Sequence, residues 1–171
     1  MYSYPKIEQS DLPPASQLSS SYGRADFADA FSVDLPERTG YDVEALARHV
    51  FANQPAWIAM LLGIRDTLVR PLGLKTTVDF KEKGGERVSL FHVFERSDDE
   101  IVLGEDDTHL DFRVSVLVQP SSHSRSRLTV TTLVFYNRPL GRAYITLIAP
   151  FHRAVVRASL DRAQRTGWPD A

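Results

Sequence analysis

The chain has 171 residues, 43% of them apolar, and a formal net charge of -2 at pH 7. That length suits one domain around a single core. The absence of cysteine excludes disulfides, thiolate nucleophiles and zinc–cysteine centres. No run approaches the ~20 apolar residues that span a bilayer, and Met1 to Arg24 lacks the apolar segment of a secretory leader, so the expected setting is the cytoplasm.

Met1 to Arg24 is rich in proline and serine (Pro5, Pro13, Pro14, Ser19, Ser20, Ser21) and reads as a flexible arm, residues 1–24, ahead of a single domain over residues 25–168. Phe27 to Val33 alternates as a first strand. Asp42 is the expected N-cap of a helix whose buried side is Val43, Leu46, Ala47, Val50 and Phe51. Pro55 opens a second helix that runs to Leu68 and stops at Pro71 and Gly73. Strands are then expected over Leu74 to Phe80, Val88 to Arg96, Glu100 to Gly104, Leu110 to Gln119 and Leu128 to Asn137. Turns fall at Gly84-Gly85, Ser97 to Asp99 and Asp106-Asp107, and a polar loop follows Pro120.

Pro139 to Arg165 is different. Leu140, Tyr144, Leu147, Ile148, Phe151, Val155 and Ala158 recur at three- and four-residue spacing, which draws one apolar stripe down a long helix. Pro150 sits inside that stripe, where proline removes a backbone hydrogen bond and crowds the preceding turn. A kink or a helix joint is expected there, and with it the mouth of any cavity. The element order predicts an α+β helix-grip fold: a curved antiparallel sheet of about six strands, two short helices, and a long C-terminal helix packed across it.

Charge is uneven. Asp98, Asp99, Glu100, Glu105, Asp106, Asp107 and Asp111 form an acidic stretch without lysine or arginine, and the final helix carries Arg142, Arg153, Arg157, Arg162 and Arg165. The plain reading is solvated faces. A pI near 6.2, with Tyr144 and Phe151 in the apolar stripe, argues against nucleic acid.

Motifs that carry chemistry are few. The histidines His49, His92, His109, His123 and His152 show no metal-ligand spacing, and there is no phosphate loop or nucleophile elbow. No metal, no cofactor and no catalytic residue is therefore assigned. His92 alternates with Leu90 and Phe94 and would point inward if that face is inward; His152 follows Phe151 at the proline.

Gly85-Glu86-Arg87 through Arg96, Asp111-Phe112-Arg113-Val114-Ser115-Val116 and Pro150-Phe151-His152-Arg153 together resemble an uncharacterised bacterial family, the domain of unknown function numbered 2867. Pro55-Ala56-Trp57 and Leu62-Gly63-Ile64-Arg65-Asp66 fit the same pattern over about residues 25 to 165. The resemblance implies a place in the START-like, polyketide-cyclase-like (SRPBCC) helix-grip superfamily and a cavity of apolar character. On that reading the chain binds a small hydrophobic or amphipathic ligand between sheet and C-terminal helix. The cavity candidates are His92, Phe94, Phe112, Val114, Leu133, Phe135, Tyr144, Ile148 and Phe151. The alternatives are a cyclase- or dehydratase-like enzyme and a protein-interaction accessory domain with a filled core; a second copy and a redox enzyme are the expected protein partners.

Overall fold

The computed structural model describes residues 4–37, 41–52, 86–89, 91–121 and 125–169. The expected second helix and the strand Leu74 to Phe80 lie outside these residues. Among the described residues, seven strands form one antiparallel sheet: β1 (Glu8–Gln9), β2 (Phe27–Asp34), β3 (Arg87–Val88), β4 (Phe91–Arg96), β5 (Glu100–Asp106), β6 (Leu110–Pro120) and β7 (Ser126–Tyr136), in the order β1-β2-β7-β6-β5-β4-β3. The expected strand from Val88 to Arg96 is split into β3 and β4 by a turn at Ser89, whose φ of 56° is left-handed. A short helix, α1 (Val43–Ala52), and a long one, α2 (Pro139–Thr166), pack on the same face of this curved, open sheet. Asp42 caps α1 as expected, accepting from the backbone N–H groups of Glu44 (2.9 Å) and Ala45 (3.2 Å). The fold class is the one that the order of elements predicts.

Strand alternation sorts the core. Phe31 and Val33 of β2, Ile101 and Leu103 of β5, Val114 and Val116 of β6, and Leu128 and Val130 of β7 pack beneath Leu46 and Val50 of α1 and Val156 and Leu160 of α2. These positions share one face because pleating reverses the side chain at every residue. The intervening positions form the opposite face.

Part of that opposite face, around Val102 and Leu133, is covered by the amino-terminal segment. Leu18 packs with Val102 and Leu133, flanked by Tyr22, Ala25 and Phe135, and residues Ser19–Arg24 form a 3-10 helix. Glu100 holds the segment down: its carboxylate, 1% exposed, accepts from Ser16 Oγ (2.5 Å), from the Gln17 backbone N–H (2.7 Å) and from the Ser115 hydroxyl. The Tyr22 hydroxyl donates to the Pro13 carbonyl at 2.8 Å. A domain boundary at residue 25 therefore cuts through a packed unit. Serine- and proline-rich composition concealed it, because one leucine and one buried carboxylate carry the contact. The solvated reading of the acidic stretch also fails at Glu100 and Glu105, which are 1% and 4% exposed.

Helix α2 runs through Pro150 as one element, with that proline exposed. Its buried positions are Gly141, Ile145, Val156, Ser159, Leu160, Ala163 and Gln164, so the inward face is turned one residue on from the expected stripe, of which Leu140, Tyr144, Ile148, Val155 and Ala158 stay half-buried. Leu147 is 66% exposed and Phe151 54%. Small residues decide the rotation. A Cβ at Gly141 would stand 2.3 Å from the His109 carbonyl oxygen, so the first turn rests directly on the β5–β6 connection. The small residues Ser159 and Ala163 are buried further along, whereas a pattern read from large apolar side chains ranks a neighbouring face first.

Candidate ligand site

The amino-terminal half of α2 and the neighbouring ends of β2, β6 and β7 enclose an apolar cluster of Leu110, Val134 and Ile145. Packed against it are Phe27, Phe112, Tyr136, Tyr144 and Ile148, all of them only half-buried. These side chains meet here because alternation turns Phe27, Phe112, Val134 and Tyr136 to the helix side, while one helical turn separates Tyr144 from Ile148. Burial and the charge of Asp26 push the Tyr136 phenol above its ordinary range, and Arg142 acts in the opposite sense.

A polar group adjoins the cluster. Asp29 lies two residues beyond Phe27, opposite Thr132 of β7, with a side chain that is 1% exposed. His152 Nε2 stands 3.4 Å from Asp29 Oδ1, and Arg153 Nε stands 3.6 Å from Oδ2. The first distance is a long hydrogen bond and the second an ion pair without one. Asp29 Oδ2 is buried and receives no hydrogen bond. The ring of Phe27 meets that of His152 edge-on at 5.9 Å, and the guanidinium of Arg157 lies 5.1 Å from the centre of Phe31. The helix-facing side of β2 therefore reads Phe27, Asp29, Phe31, beneath the cationic side chains of α2.

Of the nine cavity candidates, Phe112, Tyr144 and Ile148 converge on this cluster, and Val114 lies in the main core beside it. The others do not. His92 and Phe94 are on the far face, where Arg113 covers Phe94 at 3.6 Å and His92 pairs across to Gly104. Leu133 and Phe135 also face away from α2, beneath the amino-terminal segment. Phe151 points outward. One shared lining for all nine is impossible, because strand alternation places them on both faces of the sheet. Asp29 escaped the sequence reading; its signal was a lone acid at an inward position between two phenylalanines.

A separate open groove of about 420 Å³ is lined by Tyr41, Asp42, Val43, Glu44, Arg96, Ser97 and Asp98, away from α2. Several of its charges are paired within the protein: Arg96 with Glu44 (2.7 Å) and Glu86 (2.5 Å), while Asp42 caps α1. Among the described residues no group of three or more histidines and acids could hold a metal ion.

Residues 21–159 match the family model described as "Protein of unknown function (DUF2867)". The chain belongs to this family. The matched span contains Asp29, His152, Arg153 and the whole apolar cluster, and it begins after the Ser16 and Leu18 contacts of the amino-terminal segment. No curated protein and no solved structure matches the chain. No described helix is long and apolar enough to cross a membrane.

Proposed function

We propose that this member of the DUF2867 family binds a small amphipathic molecule between the amino-terminal half of α2 and the ends of β2, β6 and β7. Asp29 Oδ2 carries the reading: it is a buried carboxylate oxygen without a hydrogen bond, placed beside half-buried aromatic side chains. A buried polar atom left unsatisfied costs about 1 to 3 kcal/mol, and more when charged, so a ligand hydroxyl or ammonium that donates to it gains what the protein forgoes. The half-buried Phe27, Tyr144 and Ile148 offer the apolar area, and Asp29 fixes orientation, which is the usual division of labour in small-molecule sites. The helix packed across an antiparallel sheet supports placing the family among START-like helix-grip domains, and the absence of cysteine fits a reducing compartment.

The test is calorimetric titration with 1-anilinonaphthalene-8-sulfonate, together with native mass spectrometry of freshly purified protein for a retained molecule. Saturable dye binding with a negative heat-capacity change is expected, weakened at least ~10-fold by Ile148→Arg in a variant that melts normally. Equal affinity in that variant would place the site elsewhere, and no saturable binding would remove the proposal.

A further inference from the structure

Asp29 and His152 form a pair that small-molecule binding alone does not require. The imidazole approaches a fully buried carboxylate through Nε2, while its Nδ1 has no hydrogen-bond partner among the described residues and the side chain is 26% exposed. A carboxylate facing one ring nitrogen selects the tautomer with the proton on that nitrogen, and this leaves the lone pair on the other. Among the described residues of the site, Nδ1 of this partly exposed ring is then the basic lone pair that a carboxylate orients from behind. Phe27 packs edge-on against the imidazole, with ring centres 5.9 Å apart.

We infer that His152 is a general base that takes a proton from an acidic C–H of a small, largely apolar molecule bound at this site, with Asp29 as its positioning residue. The inference rests on the binding reading above. In the step, the C–H bond breaks and its proton passes to His152 Nδ1. The electron pair moves into a new π bond, and the charge emerges on an electronegative atom of the substrate, either as an enolate or on a departing group. The imidazolium formed is held by Asp29 and returns its proton to water. The substrate class is thus a carbon acid activated by a neighbouring electron-withdrawing group. Arg153, 46% exposed beside Asp29, supplies a positive field on the solvent side for the emerging anion.

The probe is 5-nitrobenzisoxazole, whose isoxazole C3–H is removed by a base as its N–O bond opens to a coloured phenolate. No oxidant, metal or cofactor is needed. The full chain should release the phenolate at least ~10-fold faster than free imidazole at the same concentration, within the range that a positioned base contributes. His152→Gln should lower the rate at least ~10-fold with an unchanged melting temperature. The Asp29 role is read by nitrogen-15 NMR of the His152 ring: the native protein should show the Nε2–H tautomer, and Asp29→Asn should lose that preference. A rate no better than imidazole, or one that His152→Gln leaves unchanged, overturns the inference, as does a native Nδ1–H tautomer even if Asp29→Asn fails to fold. Dye titration of the same preparations separates the two claims: intact dye binding without elimination sinks the base alone, and loss of both sinks the site.

Discussion

Replacing Ser16 with alanine removes one of three donors to a carboxylate that has no access to water. Ser16 and Glu100 are 2% and 1% exposed, so solvent cannot replace the lost hydrogen bond. Hydrogen bonds to charged groups are worth about 1.5 to 3 kcal/mol, and the remaining donors, the Gln17 N–H and the Ser115 hydroxyl, already occupy their own lone pairs. The hydroxyl also accepts from the Leu18 N–H at 3.1 Å, so the turn that seats Leu18 loses a second bond. The expected loss is about 2 to 3 kcal/mol. For a chain of this length that corresponds to a fall of about 4 to 12 °C in melting temperature. Urea denaturation of the parent, Ser16→Ala, Glu100→Gln and the double variant measures it. In the Glu100→Gln background the serine faces a neutral amide, and its removal should cost under ~1 kcal/mol, which gives a coupling of at least ~1 kcal/mol. A loss below ~0.5 kcal/mol for Ser16→Ala, or equal losses in both backgrounds, would refute the idea that the buried carboxylate anchors the amino-terminal segment.

Phe151→Ala should cost less than about 1 kcal/mol, because the ring is 54% exposed, whereas Leu160→Ala, at 0% exposure, should cost about 2 to 5 kcal/mol in the same denaturation assay; the reverse ranking would restore the stripe expected from spacing alone. Burial raises the Tyr22 phenol above its ordinary value of 10.0; a hydrogen bond with Ser16 opposes the rise, and the charge of Glu100 adds a smaller push upward. A raised folded value means that its stabilising contribution is fully present below pH ~10 and lost as pH rises through the folded value. Denaturation midpoints should therefore fall across that alkaline window, and Tyr22→Phe should flatten the fall; an identical pH profile for the variant would show that the phenol is not buried.

Among the described residues from Phe27 onward, the order of elements was legible without coordinates. Alternation in Leu110 to Gln119 and Leu128 to Asn137, turn residues between the strands, and a proline-initiated final helix led to an antiparallel sheet with a helix across it, because these are local signals that each segment carries by itself. Asp42 as a helix cap belongs to the same class. Which helical face turned inward did not, since several stripes at three- and four-residue spacing coexist on α2; contact of Gly141 with the His109 carbonyl selected among them. His92 and Phe94 were placed toward the helix because alternation states only that two residues share a face, and the fold alone states which face is covered. The candidate site shows the same division. Tyr144, Ile148 and Phe112 could be named from their apolar spacing, and His152 from its place after Pro150. Only tertiary structure set Asp29 against His152, 123 residues apart in sequence, and laid Ser16 on Glu100, because a buried carboxylate acquires its meaning from partners that the chain brings to it last.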